Sequence, residues 1–157
     1  MDKLNVAILV SGGGTNLQAL IDASKRGELQ GANLSLVISN KVDAYALERA
    51  KKEDIKAEFV SGKDEDKLIS LLKDNNIDVV VLAGYLAILS EKVVKEYENR
   101  IINIHPSLIP SFCGKGFYGL KVHEEALKYG VKVTGATVHF VNEIPDGGKI
   151  IMQKAVY

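Results

Sequence analysis

Val6-Ala7-Ile8-Leu9-Val10-Ser11-Gly12-Gly13-Gly14 decides the fold. Five consecutive apolar residues leave no polar face, as expected of a strand covered on both sides in a parallel sheet, and three glycines then turn the chain. Thr15 or Asn16 can cap the helix that follows. Leu17, Leu20, Ile21 and Ser24 recur at the spacing of one inward stripe, and Gly27 is the stop. Strand, glycine loop and helix make one βα unit.

Outward from this unit the alternation continues. Residues 34–38 read as a second strand, and Asp43 is placed to cap a helix carrying Leu47 and Ala50. Residues 57–60 are a weak third strand, followed by a helix over residues 63–75 with Leu68, Leu71 and Leu72 inward. Asp78-Val79-Val80-Val81-Leu82-Ala83 is rich in β-branched residues, uninterrupted and closed by Gly84, so it belongs mid-sheet. Ser90 caps a fourth helix, Ile101, Ile102 and Ile104 make a fifth strand, and residues 120–129 a fifth helix. Residues 133–141 and 148–156 are the last strands. The expected fold is α/β: a doubly wound, mostly parallel sheet with helices on both faces and strand order 3-2-1-4-5. That order brings the loops at residues 11–16, 84–89 and 105–110 to one crevice.

The chain has 157 residues, the size of a single domain spanning residues 1–157. Twenty basic and twenty acidic residues cancel, so the basic footprint of a nucleic-acid-binding protein is missing. The first apolar run ends by Val10, too short to span a membrane, and no signal-peptide cleavage pattern follows it. The lone cysteine, Cys113, can form no internal disulfide, which fits a reducing cytoplasm. The expectation is a soluble cytoplasmic protein acting without nucleic acid or membrane.

Chemistry concentrates in Asn103-Ile104-His105-Pro106-Ser107-Leu108-Ile109-Pro110. Two residues apart on an extended backbone, Asn103 and His105 project to the same side, just where prolines halt the strand. An amide donor beside a group that moves protons near neutral pH suits a reaction that creates an oxyanion. His123 sits beside Glu124 and Glu125 as a surface residue, and His139 reads as a hydrogen-bonded structural histidine within its strand. No spacing among the three histidines gives a metal site. Gly12, Gly13 and Gly14 leave backbone amides open to a phosphate at a helix N-terminus, or they serve packing alone. Leu17 stands where a dinucleotide fingerprint needs its third glycine, and Ser39-Asn40-Lys41 offers no ribose-binding acid. Ile144-Pro145-Asp146-Gly147-Gly148 is a turn composition; folded back over the crevice, its carboxylate would favour a charged His105.

With these motifs together, the chain resembles the phosphoribosylglycinamide formyltransferases, folate-dependent enzymes of purine synthesis. The resemblance runs from SGGGTNLQAL through SNKVDAYALERA, VVVLAGYLAIL and NIHPSLIPSF to GATVHFVNEIPDGG. It implies a Rossmann-like formyltransferase fold with Asn103, His105 and Asp146 catalytic, His105 as proton donor tuned by Asp146. It also implies that Gly14, Thr15 and Asn16 hold the substrate phosphate, that Leu86, Ala87, Ile88 and Leu89 lie against the folate pterin, and that Asn103 and Lys63 contact the folate. The reaction implied is formyl transfer from 10-formyltetrahydrofolate, the co-substrate, to the amine of glycinamide ribonucleotide, without a metal, by a monomer or weak homodimer. Two departures stand out. Residues 111–119 form a longer loop than in many members, and the chain stops at Tyr157 where members continue with a further strand and helix. Formyltetrahydrofolate hydrolases share the Asn-His-Asp set behind an added regulatory domain, while a non-catalytic nucleotide-binding module would use only the glycine loop.

Overall fold

The computed structural model describes residues 2–157, and its elements follow the expected alternation. They are β1 (Leu4–Val10), α1 (Thr15–Lys25), β2 (Ala32–Ser39), α2 (Tyr45–Lys52), β3 (Lys56–Phe59), α3 (Glu65–Asp74), β4 (Val79–Leu82), α4 (Glu91–Glu96), β5 (Ile101–His105), α5 (Leu120–Tyr129), β6 (Thr134–Phe140) and β7 (Ile150–Val156). One seven-stranded sheet runs β3-β2-β1-β4-β5-β6-β7. The first five strands of that order pair in parallel, whereas β6 pairs antiparallel with both β5 and β7.

The apolar run of β1 explains the double winding. Val6, Ile8 and Val10 pack on one face with Leu17 and Ile21 of α1 and Ala46 and Leu47 of α2. Ala7 and Leu9 pack on the other with Leu68 and Leu72 of α3 and Val93 of α4. Each large side chain buried here stabilises the fold by about 1.5–3 kcal/mol. With β4 beside β1, the β1, β4 and β5 loops open at the same end of the sheet.

Local chemistry departs from the sequence reading at several helix starts. Gly14, not Thr15 or Asn16, is the N-cap of α1 and takes a left-handed φ of 78°. A Cβ there would sit 2.7 Å from the Ala46 Cβ, so this glycine admits α2 as well as turning the chain. Ala44 replaces Asp43 at the start of α2 and makes no side-chain cap; the Gly12 carbonyl instead accepts the Ala46 N–H at 3.1 Å. α3 begins at Glu65, capped by the Asp64 carboxylate accepting the Lys67 N–H. Ser90 does stand at the α4 N-cap, but its hydroxyl makes no cap bond. Ser24 of α1 is exposed rather than inward.

Candidate active site

β5 carries Asn103 and His105 to the crevice, and their neighbours come from far along the chain. Antiparallel pairing sets Asn103 opposite His139 and His105 opposite Thr137. The Asn103 Nδ2–H group donates to His139 Nε2 at 3.1 Å, and His139 Nδ1–H donates to the Phe140 carbonyl at 2.8 Å. These partners fix the His139 tautomer, because a carbonyl can only accept. One Nδ2 hydrogen of Asn103 is thus committed, and the other remains for a ligand.

His105 is 4 % exposed and held at both ring nitrogens. Its Nε2–H donates to the Phe112 carbonyl at 2.8 Å, and its Nδ1 faces Asp146 Oδ1 at 3.6 Å. The proton that His105 can gain or lose is therefore the one on Nδ1. Asp146 has a left-handed φ of 54° in the turn closed by the Gly147 N–H donating to the Ile144 carbonyl. This turn folds back so that Asp146 Oδ2 accepts the Gly114 N–H at 2.9 Å, while Oδ1 lies 3.7 Å from His139 Nε2. One carboxylate is shared by two imidazoles.

Burial by itself would raise the Asp146 pKa, but His139, the Gly114 N–H and His105 outweigh it and hold the carboxyl below its ordinary value. Burial would likewise depress His139; the Asp146 carboxylate and the Phe140 carbonyl outweigh it, and its pKa stands above the ordinary histidine value. The cluster therefore sets a carboxylate disposed to stay charged beside a His139 ring disposed to take up a proton.

Two cavities meet at this cluster. The larger, about 730 Å³, runs from Gly13, Thr15 and Asn16 at the α1 N-terminus past Leu86 and His105 to Phe117, Tyr118 and His123. The smaller, about 150 Å³, is walled by Leu82, Ala87, Ile88, Leu89 and Val141 and closed by Asn142, Ile144 and Pro145. Tyr85, Asn103 and Asp146 border both. The first offers helix N–H groups suited to an anion. The second is a mainly apolar slot suited to a flat ring.

Most residues singled out from the sequence reach this place, but Gly12, Gly14 and Lys63 do not. Gly14 lines neither cavity and is occupied with α2, leaving Gly13, Thr15 and Asn16 to face the larger one. Lys63 is exposed and lines neither, although the adjacent Gly62 packs beside Ala87. Leu86 turns to the larger cavity while Ala87, Ile88 and Leu89 line the smaller. No cluster of three or more metal-ligating side chains exists among the described residues.

The profile of the formyl transferase family matches residues 4–157. The chain belongs to the formyl transferase family. The chain is 39% identical over 161 residues to the chloroplastic phosphoribosylglycinamide formyltransferase of Vigna unguiculata, covering 98% of the chain and 51% of that protein. It thus spans about half the length of that curated relative. It is 41% identical over 158 residues to the phosphoribosylglycinamide formyltransferase of Haemophilus influenzae, covering 96% of the chain and 72% of that protein. Among solved structures, glycinamide ribonucleotide transformylase 1 of Symbiobacterium toebii superposes with a TM-score of 0.89 at 38% identity, covering 98% of this chain and 73% of that one.

The fold shows what sequence reading could not supply. His139 is buried and hydrogen-bonded, as its strand position predicts, but its partner is Asn103. Alternation in β6 puts it inward; only the β5–β6 register puts it opposite Asn103. His123 is exposed as expected, yet it lines the larger cavity. Phe112 and Gly114, which touch His105 and Asp146 through main-chain atoms, carry no side-chain signal of that contact.

Proposed function

We propose that this formyl transferase moves the formyl group of 10-formyltetrahydrofolate onto the primary amine of glycinamide ribonucleotide, a step of de novo purine synthesis. The observation that carries the reading is the meeting of an anion-suited cavity and an apolar slot at Asn103 and Asp146, beside His105. The nucleotide phosphate takes the end formed by Gly13, Thr15 and Asn16, and the pterin takes the slot walled by Ala87, Ile88 and Leu89. Their reacting groups then face each other at the strand end, where orientation lowers the barrier.

The amine lone pair attacks the formyl carbon, a C–N bond forms, and the carbonyl electron pair moves onto oxygen. The free Nδ2–H of Asn103 donates to that oxyanion, and protonated His105 stabilises it electrostatically. Collapse breaks the bond to the folate N10, which takes the Nδ1 proton of His105, and the former amine then gives a proton back to Nδ1, so the proton count is unchanged. The same reading has the protein work in the cytoplasm as a monomer or weak homodimer on small molecules, with no nucleic acid or membrane involved. The equal numbers of acidic and basic residues support that exclusion.

The test is formyl transfer measured with both substrates for the parent, His105→Ala and Asn103→Ala. Each variant is expected to lower kcat by about 10²–10⁴-fold. Near-parental rates in both would overturn the mechanism, and formate release without the amine would point to hydrolysis instead.

A further inference from the structure

The turn over residues 111–116 is not needed for the wall of either cavity, yet it grips both ends of the His105–Asp146 pair. The Phe112 carbonyl accepts the His105 Nε2–H at 2.8 Å, and two residues on, the Gly114 N–H donates to Asp146 Oδ2 at 2.9 Å. We propose that Phe112 is a positioning residue: its main-chain carbonyl selects the Nε2–H tautomer of His105, and its ring, held edge-on by Phe117 and Tyr129, keeps that carbonyl in place.

A neutral imidazole has one hydrogen to place, and the two sides of His105 compete for it. On the Nδ1 side stands the charged Asp146, which attracts an N–H; on the Nε2 side stands a neutral carbonyl. The carbonyl prevails through distance, 2.8 Å against 3.6 Å. That outcome keeps Nδ1 free to exchange the proton the reaction needs.

Holding the carbonyl there demands an uncommon backbone. Phe112 has a φ of 48°, a left-handed conformation that bulky residues seldom adopt unless their surroundings impose it. The surroundings are aromatic. The Phe112 ring meets Phe117 at 6.3 Å between centroids and Tyr129 of α5 at 6.0 Å, both edge-to-face. Ser107, fully buried, closes the turn from the other side by donating its hydroxyl to the Ser111 carbonyl at 2.6 Å. Tyr129 is 81 % exposed, so its contact with Phe112 gives a surface aromatic a purpose that core packing does not. Phe112 and Tyr129 line neither cavity, so neither side chain touches a ligand held there.

The activity part of this proposal rests on the reading of His105 as proton carrier; the tautomer part does not. The chain has three histidines, so ¹⁵N-histidine labelling with assignment by His123→Gln and His139→Gln resolves His105 by NMR in the whole protein. At a pH where the ring is neutral, the parent is expected to show Nε2–H. Phe112→Ala is expected to move a substantial share of His105 to Nδ1–H, and Tyr129→Ala a smaller share, with Tyr129→Phe restoring the parent pattern. In turnover, Tyr129→Ala should lower kcat about tenfold while leaving KM for both substrates within about twofold. Lys128→Ala, one position along the same helix, should change neither. Nδ1–H in the parent, or an unchanged Nε2–H signal in a folded Phe112→Ala or Tyr129→Ala, would overturn the proposal. A parent that shows the expected tautomers without formyl transfer would support the clamp and overturn the proposed reaction.

Discussion

The two ends of the sheet are built on different terms. From β3 to β5 every pairing is parallel, and β1 at the centre of that half has residues 7–10 wholly buried between helices. At the other end β7 pairs antiparallel with β6 and is exposed along all seven residues. The reactive cluster lies where these regimes join, at β5, whose one neighbour is parallel and whose other is antiparallel. A parallel neighbour supplies loops that open at the strand's carboxyl end. An antiparallel neighbour supplies side chains opposite each residue, and that is how His139 comes to face Asn103. The cluster needs both.

The contrast is sharpest in stability. Leu9→Ala, in the buried half, should cost about 2–5 kcal/mol in denaturant unfolding. Met152→Ala on β7, where the side chain is 65 % exposed, should stay within about 0.5 kcal/mol. Comparable losses at both positions would erase the distinction between the two halves. Within the parallel half, the glycine turn offers a finer division. Gly14→Ala forces a Cβ to 2.7 Å from Ala46 and a left-handed φ on alanine, and should destabilise by about 1–3 kcal/mol. Gly13→Ala meets nothing within 4 Å and should leave the melting temperature near that of the parent.

The smallest effect sits at the join itself. Asp146, with its pKa lowered, adds stability that is complete above the ordinary carboxylate range and fades as pH falls through its folded value. His139, with its pKa raised, adds stability that is complete below the ordinary histidine value and is lost as pH rises through its folded value. The stability gap between the parent and Asp146→Asn should therefore be widest between the ordinary carboxylate and histidine values and narrow as pH passes outward through either folded value. A gap that stays flat with pH would detach the carboxylate from the imidazole.

The same division explains how much could be read from the residues. Parallel, doubly covered strands such as β1 and β4 announce themselves as unbroken apolar runs, and strand order with the β5 motif followed from them. Asn103 and His105 were legible because an extended strand fixes their shared side, and the loops at residues 11–16 and 84–89 because topology alone brings them together. What stayed hidden depends on neighbours that no local pattern encodes. Asp43 has the right chemistry for a cap, but the Gly12 carbonyl already accepts the Ala46 N–H, and α2 starts one residue later. Lys63, which the resemblance implied would contact the folate, is presented outside both cavities. The Phe112 carbonyl belongs to every residue type alike, so its contact with His105 has no signature in composition or spacing.

Among the described residues, β7 forms the margin of the sheet. A strand paired on one side only presents a row of unmet amides and carbonyls to solvent, and here Ile150, Ile151, Met152 and Val156 stand exposed along it. Lys149 and Lys154 place like charges beside and within this ribbon, so two molecules approaching edge to edge repel before their backbones can zip together. Two lysines far from any chemistry thus set charge against the pairing of this ribbon with another copy.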